Sequence, residues 1–465
     1  MDARDRELRT RFARAGQEHV FAFWDELDEP GRERLRGELG GVDLDLVGEL
    51  AALAGRPGDG HAPRFEPPED FPLERPPHLE SRAREARTAG AELLRAGRVA
   101  WLLVAGGQAS RLGYEGPKGA FPVAPVTSRT LFEIFARRLH AVRERYGAAP
   151  PWYVLTSQAN DAATRAFFAE HGHFGLDRES VFFFRQAMLP ALDAEGRILL
   201  AARDALFLAP NGHGGVLSAL ASSGAIADAR RRGVGTFAYF QVDNPLARPG
   251  DPLFLGLHAL EGAQMSTKVV AKRDASEKVG VIGRIDGRLA CIEYSDLPAG
   301  LREARGADGE LVYRAGNIAL HAIELAFVED LTRGGLRLPW HVARKGIAAI
   351  DREGRPAKVE GFKFETFVFD ALGFARSSAT LEVDRRLEFS PVKNATGEDS
   401  PATARRDLCA LHASWAERAG APLPPPTPEG VRPVEVDPVF AEDEAEFRAR
   451  MPAQPRVLST GHLWT

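Results

Sequence analysis

The hydrophobic positions of the N-terminal part of the chain follow helical spacing. Within residues 20–27 an apolar side chain recurs every three or four positions, at Val20, Phe23, Trp24 and Leu27, which predicts one face of a helix. A run with six prolines then extends from Pro63 to Pro77. Proline cannot continue a helix or pair within a central strand, so this pattern predicts a helical unit followed by an extended strap.

The central part of the chain alternates between apolar runs and amphipathic segments. Continuous apolar runs, typical of strands buried on both faces, occur at residues 99–105, 152–156, 181–184 and 236–242. Segments that predict helices lie between them, at residues 131–143, 162–171 and 217–231. This alternation predicts an α/β fold with a Rossmann-like, mostly parallel sheet and helices on both faces.

Short segments between residues 268 and 293 depart from this pattern. They are joined by turn residues that include Asp286-Gly287, a pair typical of two-residue β-hairpins, so we expect an antiparallel subsheet there. A length of 465 residues corresponds to roughly three units. We expect an N-terminal helical unit with its strap at residues 1–95, a catalytic domain at 96–400 and a small C-terminal segment at 401–465.

Composition limits the classes of partner. Lys and Arg number 60 and Asp and Glu number 65, and this acidic balance disfavours nucleic-acid and anionic-membrane partners because they bind basic surfaces. No stretch approaches the roughly 20 apolar residues that span a bilayer, and the N-terminus has no apolar signal segment. Two cysteines are too few for a disulfide scaffold or a zinc site. We therefore expect a cytoplasmic protein.

A glycine-rich segment directly after the first central strand carries the main candidate chemistry. Gly106, Gly107 and Gly113 allow the backbone to approach a ligand closely. Arg111 and Lys118 add two cations beside them. Because open α/β sheets bind ligands at the carboxyl ends of their strands, the segment predicts a polyphosphate site. It matches neither a Walker A loop nor a Gly-x-Gly-x-x-Gly dinucleotide fingerprint.

The segment from Ala105 to Gly119 resembles the signature of sugar-nucleotide pyrophosphorylases. With later blocks in the same order, the chain is similar to eukaryotic-type UDP-N-acetylhexosamine pyrophosphorylases, within the UTP–sugar-1-phosphate uridylyltransferase group, from Ala15 to about Leu408. The resemblance implies that UTP and N-acetylglucosamine 1-phosphate form UDP-N-acetylglucosamine and pyrophosphate, with Mg²⁺ as cofactor. The alternative is a UTP–glucose-1-phosphate uridylyltransferase or a broad-specificity UDP-sugar pyrophosphorylase.

The resemblance also implies roles for the loop and its cations. Gly106 and Gly107 would lie against the uracil and ribose of the nucleotide. Arg111 would hold the phosphates of UTP, and Lys118 would contact phosphates at the reacting centre. Lys393, in the block Ser-Pro-Val-Lys-Asn, would contact the phosphates of the product.

Three further residues are implied for the nucleotide and the metal. Gln186 would recognise the uracil edge, since an amide offers both a donor and an acceptor. Gly212 belongs to a glycine-rich block that would touch base and sugar. Asp243 would bind Mg²⁺, which takes a few carboxylate ligands and completes its octahedron with phosphate oxygens and water.

The residues implied for the sugar favour two different substrates. Glu293 and Asn317 would bind sugar hydroxyls. Phe367 and Phe369 would cover the 2-substituent, either from one side of an alternating strand or from a turn, which favours an N-acetyl sugar. His213 stands where acetylhexosamine enzymes usually have Asn, and it is more like the UDP-glucose and broad-specificity relatives.

Two alternatives of other classes stay open. A nicotinamide or flavin dinucleotide could bind a strand, glycine loop and helix, although no acidic residue follows the second strand, where Thr156-Ser157-Gln158 stands. A non-catalytic sugar-nucleotide sensor would not need Arg111, Lys118 and Lys393 together. We expect small-molecule substrates, no nucleic-acid or membrane partner, and a monomer or weak homo-oligomer.

Overall fold

The computed structural model describes residues 3–54, 64–294 and 296–465, so Pro63, the first residue of the expected strap, lies outside the described residues. The α-helices are α1 (Ala3–Arg14), α2 (Glu29–Gly40), α3 (Leu44–Ala54), α4 (Pro77–Arg95), α5 (Leu131–Tyr146), α6 (Asp161–Glu170), α7 (Gly215–Ser222), α8 (Ala225–Arg231), α9 (Pro252–Leu260), α10 (Ala299–Arg302), α11 (Leu325–Thr332), α12 (Arg385–Glu388), α13 (Pro401–Arg418) and α14 (Glu444–Ala449). The strands are β1 (Phe65–Glu66), β2 (Val99–Val104), β3 (Trp152–Thr156), β4 (Val181–Arg185), β5 (Met188–Pro190), β6 (Leu192–Asp193), β7 (Leu200–Ala202), β8 (Ala205–Leu206), β9 (Leu208–Pro210), β10 (Thr236–Gln241), β11 (Met265–Ala271), β12 (Val281–Ile285), β13 (Arg288–Ile292), β14 (Ala315–Glu324), β15 (His341–Ile350), β16 (Pro356–Glu365), β17 (Thr380–Glu382), β18 (Val434–Val436), β19 (Arg456–Leu458) and β20 (Gly461–Trp464).

The chain divides into two compact units, each built from separate stretches of sequence. The N-terminal unit comprises Met1–Ala62, Gln186–Gly215 and Arg337–Val368. The sheet unit comprises Pro63–Arg185, Val216–Leu336 and Phe369–Thr465.

The N-terminal unit packs helices α1 to α3 with an antiparallel sheet of order β15-β16-β6. Its core joins Phe12 and Leu50 of the helices to Phe364 of β16. The expected helix over residues 20–27 is instead two short 3₁₀ helices, Glu18–Phe21 and Trp24–Glu26. The apolar side chains of this segment pack into the same core, so the spacing identified the buried face but not the break in the helix.

The sheet unit contains a ten-stranded sheet of order β1-β12-β14-β10-β2-β3-β4, in which β11 joins β14 and β17 and β13 joins β12. Strands β10, β2, β3 and β4 are mutually parallel. The expected antiparallel strands are present, but β12, β13 and β11 belong to this same sheet. Asp286 and Gly287 both have positive φ, 51° and 81°, as a primed hairpin turn requires.

Helices cover both faces of the parallel strands, as an α/β fold requires. Trp152 and Val154 of β3 share a core cluster with Phe132 of α5. Tyr153, which points to the opposite face, donates a hydrogen bond to Asp228 of α8 (2.7 Å). The predicted α/β class is therefore confirmed. The helix expected over residues 217–231 is divided into α7 and α8 at Gly224, where φ is +83°.

The C-terminal segment, whose sequence is proline-rich and weakly patterned, is folded. After α13 it forms α14 and a small sheet of order β18-β20-β19. Asp437, which is completely buried, accepts hydrogen bonds from Arg129 and Arg137 at 2.7 and 2.9 Å. Among the described residues, no helix has the length and apolar character needed to cross a membrane.

Candidate functional site

The glycine-rich loop begins at the carboxyl end of β2, in the middle of the parallel strands. β2 pairs with β3 on one side and with β10 on the other. The chain therefore leaves β2 at a point where the strand order reverses, which is where open α/β sheets form a ligand crevice. The sequence places Gly106 and Gly107 at this point.

Backbone N–H groups of the loop are available to a ligand. Within the described residues, neither Gly106 nor Gly107 donates its N–H to a protein acceptor. A Cβ built on Gly107 would meet nothing within 4 Å, so this side of the loop is open. Gly113 has φ +70° and ends the 3₁₀ helix Ser110–Leu112, which carries the exposed Arg111. An anion could approach these donors and the guanidinium from the same segment.

Lys118 and Asp243 form an ion pair beside this loop. The Lys118 backbone N–H donates to the Gly107 carbonyl (3.1 Å), and its Nζ lies 3.6 Å from Oδ2 of Asp243. Asp243 follows β10, the strand adjacent to β2. Their side chains are only 17% and 14% exposed, so both charged groups are largely shielded from solvent.

Hydrogen bonds attach the segment before Lys393 to the turn at Asp243. The Val392 N–H donates to the Asp243 carbonyl (2.8 Å). The Asn244 amide donates to the Glu388 carbonyl (2.7 Å) and accepts from the Ser390 N–H (3.1 Å). Because Lys393 directly follows Val392, the structure brings its backbone to the same strand end as Asp243.

A buried charge cluster supports this attachment. Lys268 of β11 is completely buried, and its Nζ lies 2.7 Å from Asp251 and 2.6 Å from Glu388. Burial alone would raise the pKa of Asp251, but the charges of Lys268 and Arg248 outweigh it and hold the pKa below its ordinary value. Glu388 is held at two points: its carboxylate pairs with Lys268, and its backbone carbonyl accepts from the Asn244 side chain.

Glu293 and Asn317 both lie near Gly280. The Asn317 N–H donates to the Gly280 carbonyl (2.8 Å), and Oε1 of Glu293 lies 3.5 Å from a Cβ built on Gly280. In the Asn317 side chain, Oδ1 accepts from the Ala319 N–H (2.9 Å) and Nδ2 donates to Sγ of Cys291 (3.5 Å). Burial raises the pKa of Cys291, so the thiol stays protonated and acts as a weak acceptor.

In the N-terminal unit, Gln186 contacts the block that contains Gly212. Its Nε2 donates to the Gly212 carbonyl (2.6 Å) and to Oδ1 of Asn211 (3.2 Å). Both amide hydrogens are therefore engaged, and the side chain offers a ligand its oxygen rather than a donor and an acceptor. Gly212 has φ +79°, and a Cβ there would overlap Thr366, so the close approach of the two segments requires glycine.

His213 lies in a stack of three rings. The ring of Phe367 is stacked with both histidines: its centroid lies 5.1 Å from that of His213 and 4.3 Å from that of His341. Nδ1 of His213 accepts from the Val368 N–H (3.2 Å). Burial, with a smaller contribution from His341, lowers the pKa of His213 to about 4, so the ring is neutral near pH 7. His341 was not predicted from the sequence, where its only signal is its position at the start of a strand.

Phe367 and Phe369 do not share one face of a strand. β16 ends at Glu365, and Phe369 lies in the 3₁₀ helix Val368–Phe374, where it is buried. The strand alternative is therefore wrong, because the backbone leaves the extended conformation before either ring. The turn alternative stays a prediction.

The comparisons with known proteins agree with the resemblance. The profile of the UTP–glucose-1-phosphate uridylyltransferase family matches residues 72–464. The chain belongs to this family. Membership favours the uridylyltransferase interpretation of the glycine-rich loop over the dinucleotide one, since it covers the loop and the segments of Asp243 and Lys393 together.

Individual relatives of this uridylyltransferase family cover most of the chain. It is 39% identical over 445 residues to the human UDP-N-acetylhexosamine pyrophosphorylase-like protein 1, covering 90% of this chain and 87% of the relative. It is 38% identical over 346 residues to the UDP-N-acetylglucosamine pyrophosphorylase of Saccharomyces cerevisiae, covering 71% and 72%. The crystal structure of the uridine diphosphate N-acetylglucosamine pyrophosphorylase of Trypanosoma brucei, in complex with inhibitor, superposes with a TM-score of 0.82 and 27% identity, covering 100% and 98%.

Asp243 is the residue expected to bind Mg²⁺. The described residues contain no group of three or more His, Cys, Asp and Glu side chains suited to a metal ion. Asp243 stands at a strand end beside the loop and beside Lys118. Mg²⁺ that arrives with a triphosphate needs only one or two protein carboxylates, so a single carboxylate at Asp243 is chemically compatible with a Mg²⁺ that the nucleotide brings.

Proposed function

We propose that this chain is a uridylyltransferase that forms UDP-N-acetylglucosamine and pyrophosphate from UTP and N-acetylglucosamine 1-phosphate. One observation carries the proposal: in a chain of this family, the open glycine-rich loop and the Lys118–Asp243 pair lie at the carboxyl ends of adjacent parallel strands. N-acetylglucosamine is the sugar named for the relatives in yeast and Trypanosoma brucei.

In the proposed reaction, a phosphate oxygen of the sugar 1-phosphate attacks the α-phosphorus of UTP. The bond between that phosphorus and the oxygen bridging to the β-phosphate breaks, and pyrophosphate leaves with the electron pair. A phosphate is already anionic near neutral pH, so no side chain has to remove a proton. The work left to the protein is in-line positioning and stabilisation of negative charge.

The residues of the sheet unit are suited to this work. Gly106 and Gly107 would lie against the uracil and ribose, and the guanidinium of Arg111 would hold phosphate oxygens, since arginine binds anions. Lys118, and Lys393 beyond Val392, would offset the charge of the reacting phosphates. Asp243 would hold Mg²⁺. When bound, Mg²⁺ supplies Lewis-acid stabilisation of the phosphate oxygens.

We propose that Glu293 and Asn317 bind sugar hydroxyls. Asn317 already uses one acceptor and one donor within the protein, so one of each remains for a hydroxyl. In the N-terminal unit, the oxygen of Gln186 would accept from an N–H of uracil, and Phe367 would contact the substituent of the sugar. His213 favours the second candidate, a glucose 1-phosphate or broad-specificity enzyme.

A substrate panel tests the proposal. Purified protein with UTP and Mg²⁺ is given N-acetylglucosamine, N-acetylgalactosamine or glucose 1-phosphate, and kcat/KM is ranked from pyrophosphate release. We expect N-acetylglucosamine 1-phosphate to rank first. Glucose 1-phosphate in first place would select the second candidate, and no pyrophosphate from any sugar would contradict both and support the sugar-nucleotide sensor.

The proposal also covers localisation, partners and oligomeric state. We propose that it acts in the cytoplasm, on small molecules alone, as a monomer or weak homo-oligomer. Light scattering behind size-exclusion chromatography, at several protein concentrations, measures the oligomeric state. A stable higher oligomer that persists on dilution would contradict that part.

A further inference from the structure

A completely buried asparagine lies directly beside the glycine-rich loop. Asn160 precedes α6 and is 0% exposed. Its Nδ2 donates to the carbonyls of Ala105 (2.7 Å) and Gly107 (3.2 Å). Its Oδ1 accepts from the backbone N–H (2.8 Å) and the hydroxyl (3.1 Å) of Ser157. These four bonds use the whole capacity of an amide, so none is left for a ligand.

The two carbonyls that Asn160 binds determine where the loop donors point. In a planar trans peptide the N–H points away from the C=O of the same peptide group. The carbonyls of Ala105 and Gly107 face Asn160, so the N–H groups of Gly106 and Gln108, which belong to the same two peptides, point to the opposite side. Among the described residues, neither of these N–H groups has a protein acceptor.

Backbone hydrogen bonds also hold the loop. The Gly107 carbonyl also accepts from the Lys118 N–H (3.1 Å), and the Ala105 N–H donates to the Leu155 carbonyl (2.9 Å). No other side chain of the described residues bonds to the Ala105 carbonyl. Without Asn160, the peptide between Ala105 and Gly106 would lose its side-chain restraint, and glycine gives the backbone little resistance to rotation.

We propose that Asn160 is a positioning residue for nucleotide binding: by holding the carbonyls of Ala105 and Gly107, it turns the loop N–H groups toward the uridine nucleotide. The inference rests on the proposed role of the glycine-rich loop. Asn160 itself touches no substrate. Its effect should therefore fall on nucleotide affinity and not on sugar phosphate affinity.

The experiment compares two variants of Asn160 with a matched control. Asn160→Ala removes all four bonds, and Asn160→Asp keeps the acceptor for Ser157 but loses both donors. The control is Gln17→Ala in the N-terminal unit. Gln17 is also a buried amide, which donates to the Gly196 carbonyl (2.9 Å) and accepts from the Ile198 N–H (2.8 Å).

For both Asn160 variants we expect the Kd of UTP with Mg²⁺, measured by calorimetry, to rise about tenfold or more, the size expected when buried acceptors lose their donor. The KM for UTP should rise with it, and the KM for the sugar 1-phosphate should not change. Gln17→Ala should lower the melting temperature without changing the Kd of UTP. Wild-type UTP affinity in folded Asn160 variants would overturn the inference.

Two further variants distinguish a failure of the role of Asn160 from a failure of the proposed nucleotide site. Ser157→Ala removes only the hydroxyl bond to Asn160, and we expect a smaller rise in the Kd of UTP. If the Asn160 variants do not fold, an unchanged Kd in Ser157→Ala overturns the inference.

Arg111→Ala tests the nucleotide site itself. If Arg111→Ala weakens UTP binding and the Asn160 and Ser157 variants do not, only the role of Asn160 is wrong. If UTP binding is unchanged in all of them, the proposed nucleotide site is wrong.

Discussion

At the scale of single residues, the site depends on charges that lie far apart in the chain. Lys118 belongs to the glycine-rich segment and Asp243 follows β10, and the parallel pairing of β2 with β10 brings them to 3.6 Å. The two side chains are only 17% and 14% exposed, so this is not a surface ion pair of the kind that contributes little to stability. Its value here is to hold a cation and a carboxylate where a polyphosphate would arrive.

Lys118→Ala should lower kcat strongly and leave the fold intact. Loss of one group that stabilises transition-state charge costs about 2.7–4 kcal/mol, or about 10²–10³ in rate. Steady-state kinetics of pyrophosphate release, with circular dichroism for the fold, measures the effect. Lys345→Ala, at an exposed lysine of β15, is the control. A kcat close to that of the wild type would remove Lys118 from the reacting centre.

At the scale of elements, local sequence signals and structure agree most closely at helix and hairpin ends. α5 begins with a capping box, in which Thr130 Oγ1 accepts from the Glu133 N–H (3.3 Å) and Glu133 accepts from the Thr130 N–H (2.8 Å). The Asp286-Gly287 turn has the backbone that its sequence predicts. Such features depend on residues a few positions apart, which the sequence shows directly.

Thr130→Ala should lower the free energy of unfolding by about 1 kcal/mol, the usual effect of removing an N-cap side chain. Urea denaturation followed by fluorescence measures it. Thr88→Ala is the control, because Thr88 is an exposed residue within α4 whose hydroxyl donates to the Arg84 carbonyl of the same helix. Equal stability of the Thr130 variant and the wild type would show that packing, not the cap, determines where α5 begins.

At the scale of the whole molecule, buried charges join elements that no local pattern connects. Lys268 of β11 binds Asp251 at the start of α9 and Glu388 at the end of α12. Removing one partner of a buried ion pair leaves the others without compensation, which costs more than the pair contributes when intact. The cluster therefore makes the arrangement of these elements specific.

Lys268→Met should destabilise the protein by about 3–5 kcal/mol, because two buried carboxylates would lose their counter-charge. The denaturant midpoint measures this loss. The double variant Lys268→Met, Glu388→Gln removes one charge of each sign, leaves Asp251 with the charge of Arg248 and should recover much of the stability. If the single variant is as stable as the wild type, the cluster does not hold these elements.

His412 should make stability depend on pH. Burial, and then the charge of Arg138, lowers the pKa of His412 to about 3, below the unfolded value of about 6.5. Between these values the unfolded chain binds a proton that the folded protein does not, so stability is full above about pH 6.5 and falls as pH decreases. At pH 5 the loss should be about 2 kcal/mol.

The measurement is the free energy of unfolding in urea between pH 7.5 and pH 5. His412→Gln removes this titration and should make the dependence shallower, with the contribution of His213 remaining. An equal slope in the variant and the wild type would show that other groups cause it.

Short-range patterns in the sequence were sufficient to predict the four parallel strands and the glycine-rich loop after the first of them. The apolar runs of β2 and β3 and the loop after Val104 were predicted because short-range spacing and residue type decide them. The tertiary structure alone decided which distant residues meet. The Lys118–Asp243 pair, the stack of His341 on Phe367 and the bonds of Asn160 depend on strand order and packing, and these arise from contacts between segments whose separation leaves no periodic trace in the sequence.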